Sequence, residues 1–158
     1  MITKVRDMLN AKGHAVYSVT SDTKVIDALS LLVDKNIGAL AVIDGGKLAG
    51  IFSERDYARK VILQGKSSRE TPVSDIMTRR VIVVTPDDSI GACMELMSGN
   101  KIRHLPVVSP DNATEVVGFL SISDIVRTII AEQKNTIEQL QQYIQSWYLL
   151  LPVYQPHT

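Results

Sequence analysis

The chain has 158 residues, of which 45% are hydrophobic and 22% charged, a balance typical of a globular protein rather than a disordered one. Its 17 lysines and arginines equal its 17 aspartates and glutamates, so no net positive charge favours nucleic-acid binding. No apolar run approaches the length of a membrane span, the N-terminal residues lack an apolar signal core, and one cysteine cannot form an internal disulfide. These features predict a cytoplasmic protein that binds neither nucleic acid nor a membrane.

An internal repeat organises the sequence. The segment GIFSERD at 50–56 shares its pattern with GFLSISD at 118–124: a glycine, two apolar residues, a serine, and an aspartate three residues after the serine. The earlier segments NIGALAV at 36–42 and KIRHLPV at 101–107 also align. The offset between the copies changes only in expected loops, as a structural duplication predicts.

Each copy has the predicted order strand, helix, strand, strand, helix. In the first copy, apolar runs predict strands over 16–19, 39–43 and 48–52, and helical spacing predicts helices over 22–35 and 53–63. Ser21 or Asp22 is a plausible N-cap of the first of these helices. The glycines of DGGK at 44–47 predict a tight hairpin turn.

The second copy repeats this order and fixes the expected domain boundaries. Its predicted strands cover 82–84, 104–108 and 116–120, and its predicted helices cover 88–98 and 121–130. We therefore expect repeat 1 at 3–64, a polar linker at 65–72, repeat 2 at 73–131, and a helical and apolar tail at 132–158. The predicted fold class is α/β (α+β), with two βαββα repeats packed as a pseudo-two-fold pair and a C-terminal helical extension.

These features together resemble the CBS-domain family in its tandem form, the Bateman module. The resemblance rests on the duplicated βαββα order, the two glycine–serine–aspartate endings, and the segments VSDIMTRRVIVVTPDDSI (73–90) and KIRHLPVV (101–108). It covers roughly 3–131 and is greatest to stand-alone CBS pairs. It implies an energy- or redox-sensing regulatory module that binds an adenine ligand between the repeats and signals to an unknown regulated protein. The implied ligands are AMP, ADP, ATP or NAD, with S-adenosylmethionine ranked below them, and the implied assembly is a homodimer.

The repeated motif has the chemistry to bind a nucleotide. Ser53 lies where a strand passes into a helix, and a helix N-terminus attracts phosphate. Asp56 has two acceptor oxygens that suit the hydroxyls of a ribose, and Gly50 leaves room for close approach of a ligand. The second copy has the corresponding candidates Gly118, Ser121 and Asp124. The alternative interpretation is a capping box, in which serine and aspartate only satisfy the first N–H groups of the helix.

Other candidates follow from differences between the copies or from the resemblance. Arg55, Arg103 and His104 could converge on phosphates in a shared cleft, although the arginines could form surface ion pairs and the histidine could belong to the core. The resemblance implies further ligand contacts from apolar, glycine and threonine residues, namely Thr20, Ile37, Gly38, Ala39, Thr85 and Ile102.

No catalytic or metal site is predicted. Cys93 lies on an apolar helix face, and neither His14 nor His157 belongs to a cluster with metal-ligand spacing. We therefore expect no enzyme activity. The alternative to a ligand sensor is a ligand-free dimeric docking module.

The C-terminal segment predicts a helix that continues to about Ser146. Ile137, Leu140, Ile144 and either Trp147 or Tyr148 have helical spacing. We expect the apolar ending at 147–153 to pack on a partner subunit or back across the module.

Overall fold

The computed structural model describes residues 3–150, without the side chains of residues 147, 148 and 150. The helices are α1 (Val5–Lys12), α2 (Val25–Lys35), α3 (Glu54–Tyr57, continued as a π-helix over Ala58–Ile62), α4 (Ile90–Asn100) and α5 (Ile122–Leu150). The strands are β1 (Ser18–Val19), β2 (Ala39–Asp44), β3 (Lys47–Ser53), β4 (His104–Ser109) and β5 (Asn112–Ser121), and a short 3-10 helix covers Val73–Asp75. The predicted mixed fold, with two repeats and a C-terminal helix, is confirmed.

The first repeat contains a three-stranded sheet in the order β1-β2-β3. β1 runs parallel to β2, and β2 pairs antiparallel with β3, so that Leu40 lies opposite Phe52. The hairpin turn is formed as predicted by Gly45 and Gly46, with φ of 56° and 78°. Positive φ at both central positions suits the right-handed twist of the flanking strands.

The second repeat has only the antiparallel pair of β4 and β5, and the predicted strand at 82–84 is wrong. Only Val84 pairs there, through an isolated parallel bridge to Val107. In the first repeat the N–H of Ala41 donates to the carbonyl of Tyr17. Pro106 occupies the position of Ala41 in the second repeat and has no N–H, so the corresponding ladder bond cannot form.

Two helices begin later than predicted because a threonine turn precedes each of them. In the first repeat, the Thr20 N–H donates to Thr23 Oγ1 at 3.2 Å, and α2 begins only at Val25 after its N-cap Lys24. Neither Ser21 nor Asp22 is therefore the N-cap. In the second repeat the Thr85 N–H donates to Asp88 Oδ2 at 2.8 Å, and Ser89 caps α4.

The first segment of each repeat packs into the core of the other repeat. Helix α1 buries Val5, Met8 and Leu9 in the second core, which also contains Leu105 and Leu120. The segment 73–77 buries Val73, Ile76 and Met77 in the first core, which also contains Leu40 and Phe52. Strands β3 and β5 also contact each other. These contacts hold the two repeats together and leave clefts between them.

Helix α5 is far longer than the predicted final helix of the second repeat. It continues without a break from Ile122 to Leu150, beyond the end expected near Ser146. Leu149 is 87% exposed. The expected packing of 147–153 falls largely on side chains outside the described part of the chain.

Candidate functional site

Both serine–aspartate motifs form capping boxes. Ser53 Oγ accepts from the Asp56 N–H at 3.1 Å, and Asp56 Oδ2 accepts from the Ser53 N–H at 3.0 Å. In the second copy, Ser121 Oγ accepts from the Asp124 N–H at 3.2 Å, and Asp124 Oδ2 accepts from the Ser121 N–H at 2.9 Å. The capping interpretation therefore describes both copies, and any ligand role must use the groups that capping leaves over.

Asp56 has its carboxylate surrounded by donors of the protein itself. Besides the two bonds from Ser53, its Oδ1 accepts from Lys60 Nζ at 2.9 Å and from Thr78 Oγ1 at 3.1 Å. The residue is only 7% exposed and lines neither of the two cavities described below. The carboxylate of Asp56 is therefore occupied by donors of the protein and faces neither cavity.

Asp124, by contrast, lines a cavity of about 590 Å³ between the repeats. Its Oδ2 accepts from Lys12 Nζ at 2.6 Å as well as from Ser121, whereas Oδ1 has Arg127 Nη2 at 3.6 Å. Burial alone would raise the pKa of Asp124, but the hydrogen bonds from Lys12 and Ser121 hold it below the ordinary value. The carboxylate is therefore charged at neutral pH, and its Oδ1 has fewer protein donors than its Oδ2.

The walls of this cavity come from both repeats and from the segment after α1. The first repeat contributes the predicted residues Ile37, Gly38 and Ala39, and the second contributes Arg103, His104 and Ser121. Of the predicted candidates, these six and Asp124 are brought together in one place. The volume lies within the range of small-molecule sites.

His104 is neutral in this cleft. Its pKa is lowered to about 4, chiefly by burial; the charge of Asp124 acts to raise it, and the charges of Arg103 and Lys12 act to lower it. The ring lies 5.9 Å from the Phe119 ring, and a Cβ added to Gly38 would lie 3.2 Å from its Cε1. His104 can donate and accept hydrogen bonds here but offers no charge to a phosphate at neutral pH.

The three residues predicted to converge are divided between two cavities: Arg103 shares one with Arg55 and the other with His104. Arg55 donates from Nη1 to the carbonyl of Lys101 at 2.8 Å and lines a second, smaller cavity of about 410 Å³. Ile102 lines only that cavity, whereas Arg103 lines both. The side chain of Arg55 is held by the C-terminal end of α4, which keeps it out of the larger cleft.

The two motif glycines accommodate the protein's own side chains. A Cβ on Gly118 would lie 2.7 Å from Leu9 Cδ2, and a Cβ on Gly50 would lie 2.8 Å from Met77 Sδ. The space predicted for a ligand beside these glycines is thus filled by the segments exchanged between the repeats.

The two threonines stabilise turns. Thr20 hydroxyl donates to Asp22, and the N–H of Thr85 donates to Asp88. Neither threonine lines either cavity.

Several residues of the larger cavity were not predicted, among them Lys12, Tyr17 and Arg127. Arg127 follows Asp124 by three residues in α5, a spacing that places both on one helix face and could have been recognised. Lys12 lies at the end of α1 and reaches Asp124 only because α1 packs on the second repeat. Tyr17 is 41% exposed, with Lys35 Nζ 5.2 Å from its ring centre.

Within 3–150, no group of three or more histidine, cysteine, aspartate or glutamate residues could hold a metal ion. No helix among the described residues is both long and apolar enough to cross a membrane.

Known proteins with similar sequences and structures share the duplicated module. The sequence profile of the CBS domain matches residues 5–62 and 73–131. The CBS domain-containing protein CBSX3, mitochondrial, of Arabidopsis thaliana is 39% identical over 155 residues, which cover 92% of this chain and 74% of the relative. Since that relative is mitochondrial by name, the cytoplasmic location of this chain stays a prediction.

Solved structures agree in fold. A protein with CBS domains from Burkholderia ambifaria MC40-6 has a TM-score of 0.78 and 46% identity, covering 83% of this chain and 96% of that one. The CBS domain pair of the protein MJ0100, solved with 5'-methylthioadenosine and S-adenosyl-L-methionine, has a TM-score of 0.74 and 32% identity, covering 84% of this chain and 99% of that one. The chain belongs to the CBS-domain family and carries two CBS domains in tandem.

Proposed function

We propose that this CBS pair is a regulatory module that binds an adenosine-containing ligand in the larger cavity and signals to a partner protein. The observation that carries the proposal is the position of Asp124, a charged carboxylate at the wall of a cavity of about 590 Å³ built from both repeats. The related MJ0100 pair, which binds 5'-methylthioadenosine and S-adenosyl-L-methionine, supports the ligand class.

Asp124 would bind the ribose through Oδ1. Lys12 and Ser121 donate to Oδ2, whereas Oδ1 faces only the distant Arg127 nitrogen. A carboxylate oxygen accepts two hydrogen bonds, so Oδ1 has capacity for ligand hydroxyls. The adenine ring would lie against Ile37 and Ala39, with neutral His104 able to hydrogen-bond to a ring nitrogen.

The charge of the cavity favours a ligand with phosphate. Lys12, Arg103 and Arg127 line it with three positive charges, of which Asp124 neutralises one. This surplus favours AMP, ADP, ATP or NAD over the cationic S-adenosylmethionine. Because Asp56 is closed by its own donors, we propose that one cleft is occupied, the one at Asp124.

The signal would be a change in the relative arrangement of the repeats. The cavity is lined by α1 and β2 of the first repeat and by β4, β5 and α5 of the second, so a ligand there contacts both repeats at once. A ligand shifts such an arrangement only by binding one conformation more tightly than another. We propose that a homodimer in the cytoplasm, without catalytic activity of its own, presents this change to the regulated protein.

Calorimetric titration with AMP, ADP, ATP, NAD and S-adenosylmethionine tests the proposal. We expect a phosphate-bearing ligand to bind wild type. Asp124→Ala should weaken binding at least tenfold, because a hydrogen bond from the ligand to a charged carboxylate is worth about 1.5–3 kcal/mol. The comparison variant Asp56→Asn should leave binding within about threefold. Equal losses in both variants would contradict the single-cleft assignment.

The alternative is a docking module without a ligand. It draws support from the apolar side chains exposed on the helices, such as Val33 at 78% and Ile62 at 55%. Absence of binding by all five ligands would favour that function and leave the two motifs as helix caps.

A further inference from the structure

The C-terminal part of α5 projects away from the two repeats with an uncovered apolar stripe. Every residue of 133–146 is exposed, and Ile137, Leu140 and Ile144 are 53%, 56% and 53% exposed. Helices of this length are marginal in water by themselves, and their stability in proteins comes mainly from packing of an apolar face. The segment therefore needs a partner surface.

The spacing of the stripe is that of a coiled coil. Positions 126, 130, 133, 137, 140 and 144 are separated alternately by four and three residues. Ile130, Ile137 and Ile144 recur every seven residues at the a positions, and Val126, Gln133 and Leu140 occupy the d positions. These positions form one line, here called the seam, about 27 Å long along α5.

We infer that the seam pairs in parallel with the seam of a second copy of this chain. In a parallel coiled coil, isoleucine at the a positions favours two strands when leucine stands at d, as Leu140 does here. In parallel register the two copies of Gln133 meet each other and can hydrogen-bond, whereas an antiparallel arrangement would place each against apolar side chains.

The flanks of the seam and its beginning also suit a second copy. In parallel pairing Lys134 lies beside Ile129 of the other copy and Gln141 beside Thr136, so no like charges meet. The seam also begins on the body of the protein, where Val126 and Ile130 are 47% and 52% exposed and continue the contact. The inference does not depend on what the larger cavity binds.

Oxidative cross-linking of the full chain tests the pairing. In a parallel, in-register seam, Leu140→Cys places two thiols at the same level of the interface, whereas Gln142→Cys places them on opposite outer faces. With a mild oxidant at micromolar protein, we expect Leu140→Cys to become mostly disulfide-linked dimer and Gln142→Cys to link at least fivefold less. Wild type is the second control, because its Cys93 is buried.

A seam-breaking variant makes the test specific. Added to Leu140→Cys, Ile137→Lys should reduce cross-linking more than tenfold, whereas Glu138→Lys, one residue away and off the seam, should leave it unchanged. Equal cross-linking at 140 and 142, or none at 140, would overturn the inference, whether the stripe is bare, covered within one chain or paired antiparallel.

Discussion

Lys12 and Asp124 are joined by a hydrogen bond of 2.6 Å across 112 positions of sequence. The same ammonium donates to the carbonyl of Phe119 at 2.7 Å, so the end of α1 is fixed to the end of β5 and the start of α5. The proposed ribose-binding carboxylate is thus held by a helix from outside its own repeat.

Replacing Lys12 with methionine should raise the pKa of Asp124 and destabilise the protein. The pKa of Asp124 is lower in the folded than in the unfolded state. Its contribution to folding stability is therefore fully present above the unfolded pKa near 4 and is lost as the pH falls through the folded pKa. We expect a loss of about 1–2 kcal/mol in the free energy of unfolding at pH 7, as for a partly buried pair. Urea unfolding and NMR titration of the carboxyl carbon measure the two effects.

The matched control is Arg6→Met. Arg6 also lies on α1 and forms an ion pair with Asp87. Both of those side chains are at least half exposed, so their removal should change stability by less than about 0.5 kcal/mol. Similar losses in the two variants would mean that the Lys12 contact is no more than a surface pair.

His104 should make the protein less stable as pH falls below neutrality. Its pKa is about 4 when folded and about 6.5 when unfolded, so the unfolded state binds more protons between these values. The folded state is favoured fully above pH 6.5 and progressively less down to pH 4. By this linkage, the free energy of unfolding should fall by about 2 kcal/mol between pH 7.5 and pH 5.

The variant His104→Gln should lack this part of the pH dependence, whereas His14→Gln in an exposed loop should retain it. Urea unfolding at pH 7.5 and pH 5 gives the comparison. If wild type and His104→Gln lost the same stability on acidification, His104 would not be the neutral, buried group described here.

Much of the fold could be predicted from the sequence because the repeat supplies each signal twice. The β2–β3 hairpin followed from two apolar runs around Gly45 and Gly46, and the structure has both strands at nearly the predicted bounds. The prediction of a strand at 82–84 was wrong, because Pro106 on the neighbouring strand has no N–H to donate. The pattern of apolar side chains at 82–84 contains no information about that missing donor.

The site was less predictable because it depends on contacts between distant segments. The two motifs have identical serine–aspartate spacing, yet Asp56 is closed by Lys60 and Thr78, while Asp124 is bound by Lys12 and lies open to a cavity. Periodicity shows that a helix has an apolar face but not which core that face joins. The exchange of α1 and of 73–77 between the repeats therefore could not be predicted from the sequence.

Asp56→Ala should destabilise the fold strongly, because Asp56 organises a buried network. The substitution would leave donors of Ser53, Lys60 and Thr78 without their acceptor. Since Lys60 is partly exposed and can regain water, we expect a loss of about 2–4 kcal/mol, measured by urea unfolding. Asp27→Ala, which removes an exposed carboxylate from the first turn of α2, should cost only about 0.3–1 kcal/mol.

The motif glycines should be intolerant of alanine because of the exchanged segments. Gly118→Ala would place Cβ at 2.7–2.8 Å from both terminal methyl carbons of Leu9, and Gly50→Ala would place it 2.8 Å from the backbone oxygen of Thr78. Overpacking of this kind costs about 1–3 kcal/mol, and more where backbone must shift, so Gly50→Ala should be the worse of the two. Gly99→Ala, in a helix with no atom near its added Cβ, should instead stabilise by about 0.5–1 kcal/mol.

A double-mutant cycle tests whether Leu9 is the cause of the Gly118 penalty. Leu9→Ala alone should cost about 2–5 kcal/mol through the cavity it leaves, but it also makes room for a methyl group at 118. The double variant Leu9→Ala/Gly118→Ala should therefore be more stable than the sum of the single losses by at least about 1 kcal/mol. Strict additivity in urea unfolding would mean that the glycine is needed for some reason other than contact with α1, and that the packing of α1 on the second repeat is looser than the structure has it.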